Sequence, residues 1–224
     1  RGLGDVYKRQ VLAQDYNNIE FIVVDGASTD GSLEIIREYE DRISTIISEP
    51  DHGMYEAINK GIRVATGDVI GLLHSDDFFY DNGVISRIVE HMKTTRADFL
   101  YGDGLFVNPD NTDKVVRNWI GGDYRLWKVR HGWLPLHPTC YIRKDCIDQY
   151  GLYDESYKIA ADTDFLIRYL YVIKEFSGFH LIDIDLPGSC QHKDQSRILV
   201  HIYLLEIVEL SGTTTPRTDV PDKL

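Results

Sequence analysis

The sequence predicts an α/β fold in which a mostly parallel sheet carries helices on both faces. Two short apolar runs, Phe21-Ile22-Val23-Val24 and Ile70-Gly71-Leu72-Leu73, lack the alternation of a half-exposed strand. Runs of this kind are typical of strands that are buried on both faces of a parallel sheet. Segments with helical periodicity separate such runs up to Tyr101, and this order predicts strand-helix-strand units.

The first half of the chain alternates regularly between strands and helices. Its most regular pattern runs from Met54 to Ala65, where apolar residues recur at the spacing of one helix face. In chain order the predicted elements are strand 21–24, helix 33–39, strand 43–48, helix 54–65, strand 68–73, helix 84–92 and strand 98–101.

The second half is less regular, although a hairpin is clear. Gly104–Val107 and Val115–Trp119 flank the turn sequence Asn108-Pro109-Asp110-Asn111. The other predicted elements are strand 139–143, helix 144–150, helix 165–173, strand 179–186 and helix 195–210. We expect one domain over 11–210, with halves at about 11–101 and 102–210. We interpret residues 1–10 as a junction segment that is not native to the protein, and we expect residues 211–224 to be a flexible tail.

Composition excludes several classes of function. The net charge of -12 disfavours a nucleic-acid-binding surface, which needs a basic stripe, and also an anionic membrane surface. Three cysteines without CxxC spacing indicate neither a zinc site nor a disulfide framework, so we expect a cytoplasmic protein. No apolar run reaches the roughly 18 residues that a membrane helix needs.

Carboxylates follow two of the predicted parallel strands. Asp25 follows Phe21–Val24, and Asp76 and Asp77 follow the run that ends at Leu73. The carboxyl ends of parallel strands lie at one rim of the sheet, where ligands bind. Buried carboxylates need water, a helix N-terminus or a cation, so Asp77 either caps the next element or binds a metal.

Several ordered segments resemble a family 2 glycosyltransferase of the GT-A fold. They are VVDGASTDGS, EPDHGMYEAINKGIRVATGDVIGLLHSDD and GLYDESYKIAADTDFLIR, and the resemblance extends from Val11 to about Ile184. It implies inverting transfer of a hexosyl or N-acetylhexosaminyl group from a nucleotide sugar, with a UDP-sugar as the expected donor. The implied acceptor is a glycan or a lipid-linked saccharide, in polysaccharide, lipopolysaccharide or glycan biosynthesis. The expected location is the cytoplasm, with the inner face of the membrane as an alternative.

The resemblance assigns four residues to the nucleotide sugar. Asp25 matches the family aspartate that contacts the nucleotide, while a turn or helix cap remains the alternative for it. Asp51 and Asn59 lie in the segment that resembles the donor-side wall, and Asp76 matches the middle of the family D-x-D motif.

A divalent cation, Mg²⁺ or Mn²⁺, is also implied. Asp77 matches the last Asp of the D-x-D motif and is the expected metal ligand, whereas Ser75 stands in place of the first acid. One protein carboxylate with diphosphate and water oxygens is enough for such a cation. His192 is a further candidate ligand by the same resemblance.

The resemblance makes Asp162 the general base, which takes the proton of the acceptor hydroxyl. Capping of the helix that follows is the alternative for Asp162. Trp133 and His137 are candidates for the acceptor pocket, although a lone pair of this kind is more often a buried Trp and a hydrogen-bonded core His.

The first strand of the family is not recognisable before Val11, so we expect a gap in the sheet and reduced stability or activity. Two alternatives to a transferase therefore stay open. One is an inactive module that binds a nucleotide sugar or a partner protein, and the other is a metal-dependent phosphohydrolase or nucleotidyltransferase.

Overall fold

The computed structural model describes residues 11–75, 77–108, 111–173, 181–184, 190–193 and 201–207, with side chains as far as residue 171. The strands are β1 Ile19–Asp25, β2 Thr45–Ser48, β3 Val69–His74, β4 Asp77–Phe78, β5 Phe99–Gly102, β6 Gly104–Asn108, β7 Asn111–Trp119, β8 Tyr141–Arg143, β9 Leu181–Ile184, β10 Cys190–Lys193 and β11 His201–Ile207. The α-helices are α1 Ser32–Arg37, α2 Met54–Val64, α3 Val84–Thr95, α4 Leu126–Arg130, α5 Lys144–Tyr150 and α6 Ala161–Ile167. Short 3₁₀ turns cover Glu40–Arg42 and His137–Thr139, and a π-helical turn over Arg168–Ile173 continues α6.

The large sheet has seven strands in the order β2-β1-β11-β3-β8-β5-β9. β1 pairs with β2, and β5 with β9, in parallel, whereas β11 and β8 are antiparallel to both of their neighbours. It follows that β1, β2, β3, β5 and β9 all run in one direction. The predicted α/β fold is confirmed, and five of the seven strands share one direction. The sheet is nevertheless mixed, because only two of its six strand pairs, β1–β2 and β5–β9, are parallel.

Helices cover both faces of this sheet because its strands are apolar on both sides. In β1, Ile22 and Val24 join the apolar cluster beneath α2, α5 and α6, while Phe21 and Val23 join the cluster beneath α1 and α3. This alternation between two cores explains why the run 21–24 has no polar position.

The carboxyl ends of β1, β2 and β3 form one rim of the sheet. Asp25 at the end of β1 is the register partner of Ser48 at the end of β2. β3 ends at His74, and β4 begins three residues later at Asp77. The chain therefore passes from the large sheet to a second sheet, β4-β10-β6-β7, at this rim. Within the second sheet, β6 and β7 form the predicted hairpin.

The prediction of a helix over 195–210 is wrong where the structure describes this segment, because β11 occupies His201–Ile207. Its backbone pairs with β1 on one side and β3 on the other, so the expected gap in the sheet is filled. A helix satisfies the backbone hydrogen bonds of an apolar segment within the segment itself. Here the open edges of β1 and β3 supply backbone hydrogen-bond partners on both sides, so the segment forms a strand. The predicted junction 1–10 and tail 211–224 lie outside the described residues. Within the described part of the chain, no helix has the length and apolar character to cross a membrane.

Candidate active site

Asp25 ties together two loops at the rim. Its carboxylate is fully buried. Oδ2 accepts hydrogen bonds from the backbone N–H of Ser28 at 3.1 Å and from the hydroxyl of Ser48 at 2.7 Å. The side chain therefore holds the loop after β1 against the end of β2, directly beside the exposed Gly26.

Asp51 lies against Gly26, in the loop between β2 and α2. Oδ1 accepts a hydrogen bond from the backbone N–H of Gly53 at 3.0 Å. Oδ2 is buried and has no hydrogen-bond partner among the described residues. A Cβ atom added at Gly26 would lie 2.6 Å from this oxygen, so only glycine permits the approach. Asp51 thus lies beside Gly26, the residue that follows Asp25 at the rim.

Asn59 makes contacts that differ from the predicted ones. The residue is almost fully buried in α2, where its Nδ2 donates to the backbone carbonyl of Tyr153 at 2.8 Å and to Oε1 of Glu155 at 2.7 Å. Its Oδ1 accepts from the Tyr153 N–H at 3.1 Å. Within the described residues, the side chain anchors the loop before α6, and its position on the buried face of an amphipathic helix explains this.

Asp77 begins β4 at the rim and is fully buried. In the antiparallel pairing of β4 with β10, the backbone of His192 lies opposite Asp77. Asp76, the other acid of this pair, lies outside the described residues. No group of three or more His, Cys, Asp or Glu side chains that would hold a metal ion occurs in the described part of the chain.

Asp162 lies in the first turn of α6 and is partly buried. The hydroxyl of Tyr55, from α2, donates a hydrogen bond of 3.1 Å to its Oδ1. The N-cap residue Ala160 has a left-handed backbone and offers no side-chain hydrogen bond to the helix. Asp164, two residues on, forms an ion pair with Arg168 at 3.4 Å.

His137 experiences the charges of both Asp77 and Asp162, the acids assigned to metal binding and catalysis by the sequence resemblance. Its Nε2 is 2.7 Å from the hydroxyl of Tyr153, and its ring centroid is 6.0 Å from that of His74. Burial lowers the pKa of His137 to about 4, and His74 contributes, while the charges of Asp162 and Asp77 oppose the shift. The imidazole is therefore neutral at neutral pH.

A cleft of about 450 Å³ opens beside Asp162. Its walls combine polar side chains with apolar and aromatic ones from α2, the β6–β7 hairpin and the loop after α4. They include Met54, His74, Phe106, Trp119, Leu134, Pro135, His137, Asp162 and Thr163.

Trp133 contacts the core and does not line this cleft. Its Nε1 donates to the carbonyl of Gly121 at 3.1 Å, and its ring packs edge-on against Tyr101 and Tyr124. The aromatic wall is instead supplied by Trp119, which the sequence reasoning did not select. His137, the other candidate for the acceptor pocket, lines this cleft.

Three residues near Asp162 were missed from sequence: Tyr55, His74 and Trp119. Tyr55 shares the buried face of α2 with Ile58, Asn59 and Ile62, so helical spacing could have placed it inward. His74 lies two residues before the predicted acidic pair, and this position at a strand end was a usable signal. No feature of the neighbouring sequence distinguishes Trp119 from the exposed residues of β7.

Known proteins resemble this chain in both sequence and fold. Residues 9–156 match the sequence model of Glycosyl transferase family 2. An uncharacterised glycosyltransferase of Mycobacterium tuberculosis is 31% identical over 195 residues, which cover 85% of this chain and 72% of the relative. A PGL/p-HBAD biosynthesis glycosyltransferase of Mycobacterium bovis is 27% identical over 162 residues, covering 70% of this chain and 60% of the relative.

Solved structures share the fold at low sequence identity. S. aureus TarS in complex with UDP-GlcNAc superposes with a TM-score of 0.70 at 17% identity, covering 87% of this chain and 55% of that one. The mannosyltransferase PcManGT from Pyrobaculum calidifontis, in complex with GDP-Man and Mn²⁺, gives a TM-score of 0.57 at 16% identity, covering 86% and 52%. The chain thus spans about half the length of these solved chains. Its sheet is of the GT-A type, and the chain belongs to glycosyltransferase family 2.

Proposed function

We propose that this protein is an inverting, metal-dependent glycosyltransferase that moves a sugar from a nucleotide-sugar donor to a hydroxyl group of a glycan or lipid-linked acceptor. The observation that carries the proposal is the position of Asp162. This carboxylate lines an open cleft, is held by Tyr55, and acts electrostatically on the same His137 as the rim residue Asp77.

The donor site in this proposal is the rim formed by Asp25, Gly26 and Asp51. The exposed Gly26 backbone and the adjacent carboxylates suit the hydroxyl and amide groups of a nucleoside. Relatives of this fold are known in complex with UDP, UDP-GlcNAc and GDP-Man, and we take a UDP-sugar as the first candidate. Asp76 remains a predicted donor contact. Asn59 supports the site indirectly, because its side chain anchors the loop at Tyr153.

A divalent cation, Mg²⁺ or Mn²⁺, fits the chemistry of Asp77. A buried carboxylate at the end of the sheet is a hard oxygen ligand, and diphosphate and water oxygens would complete the shell. A cation held by Asp77 would supply positive charge to offset the negative charge of the departing nucleoside diphosphate. The PcManGT complex with Mn²⁺ supports this assignment by analogy of fold.

Asp162 acts as general base in the proposed reaction. The acceptor oxygen forms a bond to the anomeric carbon while the bond from that carbon to the diphosphate oxygen breaks. The proton of the acceptor hydroxyl passes to the Asp162 carboxylate. A single displacement from the face opposite the leaving group inverts the configuration of the sugar.

The acceptor enters by the cleft in this proposal. Trp119 and Phe106 offer flat apolar surfaces, which suit the apolar faces of a sugar ring, and His137 offers a neutral polar group. Association with the inner face of the membrane would follow if the acceptor carries a lipid.

A panel of nucleotide sugars, scored by thermal shift with and without Mn²⁺, tests the proposal. A donor raises the melting temperature according to its affinity, and its nucleoside diphosphate is then released faster when an acceptor saccharide is added. Stabilisation without any product would favour a binding module. Release of phosphate or pyrophosphate that does not depend on an acceptor would favour a phosphohydrolase or nucleotidyltransferase.

A further inference from the structure

Four aromatic rings form a continuous stack that connects α2 to α6. Tyr55 stacks on Tyr153 with ring centroids 6.1 Å apart, and Tyr153 stacks on Phe165 at 4.1 Å with only 6° between the ring planes. Phe165 in turn stacks on Tyr169 at 4.4 Å. All four side chains are buried. The stack sets the position of α6, and therefore of Asp162, relative to α2.

The second ring of the stack, Tyr153, is fixed at both ends. Asn59 hydrogen-bonds to its backbone carbonyl and its backbone N–H, and Nε2 of His137 lies 2.7 Å from its hydroxyl. Because Tyr153 is held at its backbone and at its hydroxyl, its ring cannot shift along the stack. The first ring, Tyr55, is therefore supported by a rigid neighbour.

Tyr55 is the ring at one end of this stack, and its hydroxyl donates a hydrogen bond of 3.1 Å to Oδ1 of Asp162, 107 positions later in the chain. Burial and the Asp162 charge raise the pKa of Tyr55, and nearby backbone amides of Asp162 and Ala161 oppose the shift. The phenol is thus protonated at neutral pH and serves as a donor. It also stands at the start of α6, where Ala160 provides no side-chain cap.

We propose that Tyr55 is a positioning residue for the general base: its hydroxyl occupies Oδ1 of Asp162, so that Oδ2 receives the proton of the acceptor. This inference rests on the proposed function. Without the hydroxyl, the carboxylate would rotate between equivalent positions, and the oxygen that faces the acceptor would no longer be defined. A hydrogen bond to a charged group that holds a reacting atom in place affects turnover more than binding.

The test compares Tyr55→Phe with the control Tyr124→Phe. Each variant loses one phenolic hydroxyl, but the hydroxyl of Tyr124 donates to the backbone carbonyl of Leu170 at 2.7 Å. We expect kcat to fall about tenfold or more in Tyr55→Phe, which is the range for one hydrogen bond to a charged group. The KM for acceptor and the Kd for donor, measured by calorimetry, stay within about twofold because the ring stack is retained. Tyr124→Phe keeps its kcat.

An unchanged kcat in Tyr55→Phe overturns the proposal, and so does an equal loss of kcat in both variants. If the wild-type chain releases no nucleoside diphosphate from any donor, the proposed function fails, and the geometry is then tested by ¹³C NMR. The Asp162 carboxyl signal, identified by its disappearance in Asp162→Asn, should shift in Tyr55→Phe and not in Tyr124→Phe. A signal that does not move would contradict the contact itself.

Discussion

The side-chain amide of Asn59 pairs with both backbone groups of Tyr153, at 2.8 Å to the carbonyl and 3.1 Å from the N–H. Asn59→Ala removes these two buried hydrogen bonds and a third to Glu155, so we expect the free energy of unfolding to fall by about 2–3 kcal/mol. Urea denaturation measures this loss. The exposed Asn118→Ala on β7 serves as control and should change stability by less than about 0.5 kcal/mol.

The same variant separates anchoring from donor binding. If Asn59 anchors the loop, folded Asn59→Ala binds nucleotide sugar with nearly unchanged affinity. A large loss of affinity without any loss of stability would instead support the direct contact that the sequence resemblance implies.

Gly26 and Asp51 provide a test of the donor rim. A Cβ in Gly26→Ala would lie 2.6 Å from Oδ2 of Asp51, so the carboxylate must move. We expect the affinity for the nucleotide sugar to fall about tenfold, measured by calorimetry. In the Asp51→Ala background the second change should add little, because the obstructed group is already gone. Independent, additive losses would show that Gly26 acts without Asp51.

The lowered pKa of His137 leads us to expect that the free energy of unfolding depends on pH. Its pKa is lowered from 6.5 to about 4 in the folded chain. Between these values the unfolded state binds a proton that the folded state does not bind, so stability falls as the pH drops from about 6.5 towards 4. The loss of stability is at most about 3.4 kcal/mol, the value for a shift of about 2.5 pKa units.

His137→Gln isolates this contribution. Glutamine retains a polar group near Tyr153 but does not titrate, so the variant should lose less stability than wild type between pH 7 and pH 5. Urea denaturation at several pH values measures the difference. Parallel curves for the two proteins would contradict the account of His137.

β11 is the element of the sheet that the sequence did not predict. Leu204 lies at its centre, with its backbone opposite Ile22 of β1 and Leu72 of β3. Leu204→Pro removes a ladder hydrogen bond from an internal strand, so we expect a loss of at least about 3 kcal/mol by urea denaturation. An unchanged free energy of unfolding would indicate that β11 does not contribute to the folded sheet.

Local pattern was enough to predict most of the fold. The unbroken run 21–24 and the periodic helix after Met54 both reflect burial against neighbours on the same face, which spacing reveals directly. The direction of β1 and β3 then predicted that Asp25 and the residues after His74 share a rim. β11 could not be predicted in this way, because this apolar segment forms a strand by pairing with the edges of β1 and β3, which lie far away in the sequence.

The candidate residues of the site came from local sequence. Asp77 is an acid at the end of a strand run, and the family resemblance singled out Asp162, whereas the hydrogen-bond and pairing partners of both come from distant parts of the chain. Tyr55 reaches Asp162 across 107 positions, and Trp119 rather than Trp133 lines the cleft. Such pairings depend on how helices and hairpins pack, which residue spacing alone does not specify.

The most direct test of the proposed function is Asp162→Asn, with Asp164→Asn as control. Asp164 lies in the same helical turn and forms an ion pair with Arg168, so the control makes an equal change of charge outside the cleft. We predict that Asp162→Asn lowers turnover at least about 100-fold while calorimetry shows unchanged donor affinity, and that Asp164→Asn retains turnover. Turnover of Asp162→Asn within a few fold of wild type would contradict the assignment of Asp162 as general base.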